Sequence, residues 1–201
     1  MIYLDHSATT PVDPRVVEAM APFWTEMYGN PSSVYGLGRR AAAALEDARR
    51  TVARILNCQP AEIIFTSCGT ESDNLAIRGA ALAAAAKGRR HLITTPIEHH
   101  AVLHTVADLV ERFDFEATQV PVDRTGLVDP AAVEAAIRPD TALISVMLAN
   151  NEVGALQPVA EIGGIARRHG VPFHTDAVQA AASLSLDVEA LNVDLLALSA
   201  H

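Results

Sequence analysis

Cysteine is scarce in this sequence of 201 residues, where only Cys58 and Cys68 are present. Two thiols are too few for the disulfide framework that stabilises many small secreted domains. We therefore expect a reducing setting and a cytoplasmic protein.

Clusters of basic residues and long apolar runs are absent as well. The formal net charge is -9, with 15 basic and 24 acidic side chains. This balance argues against a nucleic-acid partner, because binding phosphates requires clustered cations. The longest stretch without a charge, Met27 to Gly38, is rich in glycine, proline and serine, whereas a membrane helix needs about 20 mostly apolar residues. We expect no membrane span, and the acidic start at Asp5 indicates no secretory leader.

Short β-type runs and longer helical patterns alternate along the sequence. Strands are predicted at residues 62–66, 91–95, 115–120, 141–148, 171–175 and 193–198. Helices are predicted at residues 38–56, 70–87, 99–112, 130–137 and 159–169. This alternation indicates an α/β fold with a mostly parallel sheet covered by helices on both sides. Residues 1–12 show no helical pattern, so we expect an N-terminal arm apart from a large domain formed by residues 13–201.

The first polar cluster follows the first predicted strand, where ligands bind in such sheets. Gly69 lets the backbone approach a ligand closely, and Thr70 with Asp73 has the spacing of a capping box. Free N–H groups at this helix start would suit a phosphate. An ordinary helix cap without a ligand explains the segment equally well.

Further polar residues follow the later strands. Asp176 ends a run that should be buried, and a buried carboxylate needs a partner. A protonated pyridine nitrogen, as in pyridoxal phosphate, is one such partner, with Gln179 in reach of the ring's phenolic oxygen; backbone N–H groups are the alternative. His99 either moves protons beside a flat ring or caps its helix. Ser199 and His201 either donate to a phosphate or belong to a disordered chain end.

These segments, in this order and spacing, resemble the class V aminotransferase family, and within it the cysteine desulfurases of the nitrogenase-associated, iron–sulfur cluster type. The matching blocks include the start of the chain as well as the strand ends: residues 2–11, 29–33, 66–74, 98–99, 150–154, 176–179 and 199–201. The resemblance implies the large domain of a fold-type I transferase, with a seven-stranded type of sheet that is incomplete at its C-terminal end. Residues 1–12 would then belong with the small domain.

The resemblance also implies pyridoxal 5'-phosphate as cofactor and a role for each site residue. Gly69 and Thr70 would bind the phosphate, and Ser199 and His201 would complete that site. The ring would be held by four residues: His99 stacked on it and assisting proton transfer, Asn151 and Gln179 on the phenolic oxygen, and Asp176 on the nitrogen. Cys68 stands where many relatives have glycine, and we expect it to pack rather than to transfer sulfur. No metal site is expected.

The implied reaction converts L-cysteine into L-alanine and leaves a persulfide on an enzyme cysteine for a sulfur acceptor or iron–sulfur scaffold protein. Relatives are homodimers. The cofactor's lysine would directly follow His201, and the persulfide cysteine and the arginine that binds the substrate carboxylate would lie further on, so residues 1–201 alone are expected to be inactive. The end of the chain at His201 has three explanations: a cofactor-modified lysine as the next residue, a split gene product, or a fragment. The first is favoured because the chain ends at the position where the lysine is expected.

Two other functions are consistent with the sequence. One is a different class V enzyme, a selenocysteine lyase or an aminotransferase. The other is a non-catalytic fragment that only packs against a partner chain. An assay of sulfur transfer from cysteine distinguishes a cysteine desulfurase from another class V enzyme. Absorbance with added cofactor distinguishes an enzyme from a non-catalytic fragment.

Overall fold

The computed structural model describes residues 2–181 and 183–201 in two compact units. The first unit comprises the residues up to Ile64, together with His201, and the second comprises Phe65–Ala200. The predicted boundary near residue 12 remains a prediction. No helix in the described part of the chain is long and apolar enough to cross a membrane.

The first unit is helical. Its elements are α1 (Pro14–Met20), α2 (Pro22–Thr25), α3 (Gly36–Leu56) and a 3-10 turn at Pro60–Glu62. The side chain of Asp13 caps α1 by accepting a hydrogen bond from the N–H of Arg15 at 2.8 Å, and the left-handed Asn57 ends α3. The predicted strand at residues 62–66 is wrong, because Glu62 closes the 3-10 turn and residues 63–66 form no strand.

The second unit is a five-stranded sheet with helices between the strands. The strands are β1 (His91–Thr94), β2 (Glu116–Gln119), β3 (Thr141–Ser145), β4 (Phe173–Asp176) and β5 (Leu195–Ala197). The helices are α4 (Gly69–Ala85), α5 (His100–Phe113), α6 (Pro130–Ala136), α7 (Val159–His169) and α8 (Val188–Leu191). The strand order is β2-β1-β3-β4-β5 and every pair is parallel, which confirms the predicted α/β class.

Local sequence signals explain several of these boundaries. Asp129 caps α6 through the N–H of Ala131 at 2.9 Å, with Pro130 in the first helical position. Gly170, at φ 63°, ends α7. A left-handed residue is favoured at this position because it satisfies the last helical carbonyls.

The core fixes which edge of the sheet is available for a ligand. All five residues of β3 are buried, as expected for a central strand that is covered on both faces. The inner sides of α4 and α5 pack on the sheet through Ile77, Val102 and Leu109. Because every strand pair is parallel, the carboxyl ends of the strands lie along one edge of the sheet, and the segments that follow the strands meet there.

Candidate active site

The start of α4 forms a narrow cradle against two other segments. A Cβ atom added to Gly69 would lie 2.9 Å from Cγ2 of Val178 and 3.9 Å from Cβ of Ser199. The segment after β4 and the segment after β5 thus both reach the first residue of a helix of 17 residues. The first N–H groups of a helix have no partner within the helix and favour an anion. A phosphate therefore fits this cradle.

The predicted capping box between Thr70 and Asp73 is wrong. The helix begins two residues earlier than the box requires, so its N-cap is Cys68, which makes no side-chain capping bond. Glu71 reaches back instead, and its carboxylate accepts hydrogen bonds from the N–H and the hydroxyl of Ser67 at 2.6 and 2.7 Å. Thr70 is exposed at the cradle, and Asp73 is directed into the interior.

Asp176 is the last residue of β4, and only 5% of it is exposed. Its Oδ1 accepts a hydrogen bond from the N–H of Val178 at 2.9 Å. Burial raises the pKa of this carboxyl, while the Val178 N–H and the nearby His99 act to lower it. Among the described residues, no lysine or arginine pairs with Asp176. A buried carboxylate of this kind is stable only beside a positive partner, and the protonated ring nitrogen of pyridoxal phosphate fits that requirement.

His99 caps α5, as one of the two sequence interpretations expected. Its Nδ1 accepts a hydrogen bond from the N–H of Ala101 at 3.1 Å, and the residue is exposed. A ring nitrogen that accepts in this way carries no proton, so the proton of the neutral ring sits on Nε2. Capping therefore fixes the ring and leaves Nε2 for proton transfer.

The loop after β3 is ordered by Asn150 rather than by its neighbour Asn151. Oδ1 of Asn150 accepts hydrogen bonds from the N–H groups of Glu152 and Val153, both at 2.9 Å, and Nδ2 donates to the carbonyl of Ile97 at 3.0 Å. The last bond ties this loop to the turn before α5. The half-buried Asn151 is left at the same sheet edge, where it follows the all-buried β3.

The remaining predicted site residues fall into two groups. Gln179 and Ser199 are half-buried and follow β4 and β5. His201 is exposed and belongs to the first unit, so its predicted phosphate contact remains a prediction. Cys68 is exposed rather than packed, contrary to the sequence-based expectation. The pKa of its thiol is lowered by the N–H of Glu71 and by the Ser67 hydroxyl.

Two buried acids lie next to this site, and sequence reasoning assigned no role to Glu98 and only a capping role to Asp73. Glu98, in the turn after β1, accepts hydrogen bonds from the Thr95 hydroxyl at 2.7 Å and the N–H of Met147 at 3.0 Å. Asp73 lies 3.5 Å from Nε2 of His174. A signal for the second pair was available, because His174 stands two residues before Asp176 and therefore shares its side of the strand. Among the residues that the structure describes, no cluster of histidine, cysteine or acid side chains has a metal-binding arrangement.

Comparison with known families gives a match over residues 2–201, to the family described as aminotransferase class-V. Curated relatives agree with it. The chain is 54% identical to the cysteine desulfurase IscS of Methanosarcina thermophila over 200 residues and 55% identical to the IscS of Methylococcus capsulatus over 201 residues. Each alignment covers the whole chain and 49% of the relative. The chain thus spans about half the length of the curated relatives that it matches.

Solved structures show the same likeness. A NifS-like protein superposes with a TM-score of 0.95 at 43% identity, covering all of this chain and 55% of that one. A second structure, described as SspA in complex with cysteine, superposes with a TM-score of 0.94 at 41% identity and covers 99% of this chain and 57% of that one. The neighbours are pyridoxal-phosphate enzymes of fold-type I, as the sequence predicted.

Proposed function

Because the chain belongs to the aminotransferase class-V family, we propose that the protein binds pyridoxal 5'-phosphate and acts as a cysteine desulfurase. The substrate is L-cysteine, and the products are L-alanine and an enzyme persulfide that supplies sulfur for iron–sulfur cluster assembly. The buried Asp176, which has no cationic partner among the described residues and lies beside the cradle at Gly69, is the observation that carries the proposal. The relatives named cysteine desulfurase support the choice of reaction.

The cofactor, when bound, supplies an electron sink for the bonds that break at the substrate's α-carbon. The chain's own residues hold and orient that group. The N–H groups of Gly69 and Thr70 bind the phosphate, and the carboxylate of Asp176 keeps the ring nitrogen protonated. The N–H of Val178, at 2.9 Å from Oδ1, fixes the orientation of that carboxylate.

The other site residues bind the ring or move protons. His99, whose Nδ1 is held by the N–H of Ala101, presents Nε2 for proton transfer at the substrate. Asn151 and Gln179 donate to the phenolic oxygen. Ser199 completes the phosphate contacts of the second unit. These contacts would restrict the position and rotation of the cofactor, so that each proton transfer would occur between groups that are already aligned.

The direct test uses the native protein supplied with pyridoxal phosphate and L-cysteine. We expect an absorbance band near roughly 400 nm from the lysine-bound cofactor, and alanine released in step with persulfide or sulfide. Alanine release without sulfur transfer would assign the protein to another class V reaction. A native protein that neither absorbs in this region nor binds the cofactor would contradict every enzymatic assignment.

Replacing the carboxylate gives the sharper test. Asp176→Ala leaves the far-ultraviolet circular dichroism unchanged and lowers turnover by roughly a hundredfold or more, the effect of losing one preorganised electrostatic group. Glu111→Gln, at an exposed position of α5, is the matched control and retains turnover. An Asp176→Ala protein with wild-type turnover refutes the role of this residue at the ring nitrogen.

We propose further that the protein is a cytoplasmic homodimer that passes sulfur to an acceptor or iron–sulfur scaffold protein. The low cysteine content supports the reducing compartment. Exposed apolar side chains in the first unit, among them Trp24 at 74% exposure, support burial against another chain. Sedimentation equilibrium of the native protein tests the dimer, and persulfide transfer to a purified scaffold protein tests the partner.

A further inference from the structure

Three buried acids converge behind the candidate cofactor site. Asp73, Glu98 and Asp176 are 1%, 6% and 5% exposed, and they come from α4, the turn after β1 and the end of β4. Among the described residues, no lysine or arginine pairs with any of them. Three carboxylates cannot all be ionised in such a place, because burial and mutual repulsion both oppose the charge.

Hydrogen bonds favour the charge on Asp176 over Asp73. Asp176 accepts the N–H of Val178 at 2.9 Å, and His99 lowers its pKa further. Oδ1 of Asp73 is buried and has no hydrogen-bond partner among the described residues. Burial raises the pKa of Asp73 to about 8, and the charge of Asp176 is the next largest cause. Glu98 has two hydrogen-bond donors, but burial still raises its pKa to about 8.

The partner that faces Asp73 is a buried histidine. Nε2 of His174 lies 3.5 Å from Oδ1 of Asp73, and both atoms are buried with no hydrogen-bond partner in the described part of the chain. Burial lowers the pKa of His174 to about 4, so the imidazole is neutral. Its Nδ1 lies 2.9 Å from Oγ of Ser145. With the imidazole proton on Nδ1 and donated to Ser145, the Nε2 lone pair faces Asp73, and one proton between Asp73 and His174 satisfies both atoms.

The charged and titratable groups around Asp73 are few. His174 and Asp176 face it from β4, Glu98 from the turn before α5, and Cys68 from the start of its own helix. Strands β3 and β5 contribute no titratable side chain. Among the described residues no lysine or arginine pairs with Asp73, so a proton has to neutralise it.

Asp73 also joins the two parts of the cofactor site. It is the fifth residue of α4, the helix whose first residue, Gly69, forms the cradle. His174 and Asp176 are two residues apart on β4 and project from the same face of the sheet. A hydrogen bond between Asp73 and His174 would therefore hold the cradle-forming helix against the strand that carries the Asp176 carboxylate.

We propose that Asp73 is a positioning residue that shares one proton with His174, stays neutral beside Asp176, and thereby fixes α4 on β4 and keeps the negative charge where the cofactor's ring nitrogen binds. This inference rests on the proposed function. It differs from a merely structural role, because it assigns a proton to Asp73 and a charge to Asp176.

The test compares Asp73→Asn and Asp73→Leu in the native protein. Asparagine has the shape of a neutral aspartic acid and can donate to His174, whereas leucine has the size but no donor. We expect the dissociation constant of pyridoxal phosphate in Asp73→Asn to stay within about threefold of wild type. In Asp73→Leu, which leaves Nε2 of His174 without a partner, we expect it to rise about tenfold or more. Asp108→Asn, at an acid paired with Arg78 outside the cluster, is the control for the loss of an acid elsewhere.

A second measurement needs no cofactor. The unfolding equilibrium of the cofactor-free native protein is followed by denaturant titration from pH 5.5 to 7.5. One proton held by Asp73 in the folded state and lost on unfolding changes the unfolding constant about tenfold per pH unit, with stability falling as the pH rises. Asp73→Asn removes this contribution, so its pH dependence is flatter by up to one proton than that of wild type and of Asp108→Asn.

The outcomes separate this inference from the proposed function. A wild-type protein that binds no pyridoxal phosphate overturns the proposed function and the positioning role together. If wild type binds the cofactor, then equal pH dependences of wild type and Asp73→Asn overturn the neutral Asp73 alone. So does an Asp73→Asn protein that loses cofactor affinity as strongly as Asp176→Asn, because a charged Asp73 would then be needed.

Discussion

The contact between Gly69 and Val178 predicts a strong coupling between two mutations. A Cβ at position 69 would lie 2.9 Å from Cγ2 of Val178, whereas carbon atoms pack best at about 3.5–4.0 Å. The methyl group cannot simply swing away, because a β-branched side chain has restricted χ1 rotamers. In Gly69→Ala, the segment at Val178 therefore has to move.

The size of the effect follows from two opposing terms. Overpacking of this kind costs about 1–3 kcal/mol, while replacing glycine by alanine in a helix contributes up to about 1 kcal/mol of stability. We expect Gly69→Ala to lose about 0–2 kcal/mol of unfolding free energy. In Gly69→Ala/Val178→Ala the clash is gone, so the coupling energy of the double-mutant cycle is about 1–3 kcal/mol, the cost of the overpacking.

The same movement reaches the cofactor. The N–H of Val178 donates to Oδ1 of Asp176, so displacing residue 178 disturbs the carboxylate as well as the cradle. We expect the affinity of Gly69→Ala for pyridoxal phosphate to fall by about threefold to tenfold, a change worth about 0.7–1.4 kcal/mol. The double variant recovers most of this loss.

The assay is denaturant titration and cofactor titration of the four proteins of the cycle, which are wild type, Gly69→Ala, Val178→Ala and the double variant. Gly79→Ala is the matched control, because a Cβ added there meets nothing within 4 Å on the same helix. We expect this control to be as stable as wild type or about 0.5–1 kcal/mol more stable. Additive effects of the two mutations, within about 0.5 kcal/mol, would refute the contact at the cradle.

Two further predictions concern other buried groups of the second unit. The folded pKa of Glu98 is raised to about 8 by burial, so folding retains a proton between roughly pH 4 and 8 and stability falls as the pH rises through this range. Glu98→Gln flattens that dependence by up to one proton, about 1.4 kcal/mol per pH unit, and parallel curves for variant and wild type contradict the assignment. Gln157 is buried and bridges the loop before α6, accepting from the N–H of Val128 at 3.0 Å and donating to the carbonyl of Gly126 at 2.7 Å; Gln157→Ala therefore loses about 1–3 kcal/mol in denaturant titration, and a loss below the measurement error would show that the bridge is dispensable.

The alternation of strands and helices could be predicted from the sequence because each element has its own local signal. Residues 159–169 combine helical periodicity with a glycine stop, and the predicted bounds match α7. Residues 141–148 form an apolar run that β3 and the buried residues after it occupy. Such patterns indicate burial directly, so a prediction from them needs no knowledge of the neighbouring elements.

The predictions failed where a local sequence pattern does not determine which strand or which side chain an element pairs with. Residues 63–66 have β-type composition but form no strand here, and strand formation depends on pairing with a neighbour rather than on propensity alone. The capping box at Thr70 was wrong because α4 begins at Gly69 with Cys68 as its N-cap. Because α4 begins two residues before the box requires, Asp73 is a buried acid instead of part of a surface cap.

The residues of the candidate site were proposed because each follows a predicted strand, although residues 63–66 before Gly69 form no strand; their mutual arrangement was not predicted. The proximity of Gly69 to Val178 and Ser199 joins segments more than a hundred residues apart in sequence, and no local pattern contains that distance. The pairing of Asp73 with His174 is of the same kind. The sequence thus proposed which residues belong to the site, and only the structure showed that Gly69 lies near Val178 and Ser199.

The acids behind this edge link cofactor binding to stability. Burying the Asp176 carboxylate costs free energy in the cofactor-free protein, because the described chain offers it one backbone N–H and no ion pair. A protonated ring nitrogen offsets that cost only if Asp73 and Glu98 remain neutral. A second carboxylate charge would compete with Asp176 for the ring nitrogen and would repel the charge on Asp176. A ligand that binds the folded state alone stabilises it by an amount that grows with the ratio of its concentration to its dissociation constant. The proton on Asp73 therefore contributes to cofactor affinity and to stability through the same electrostatic balance.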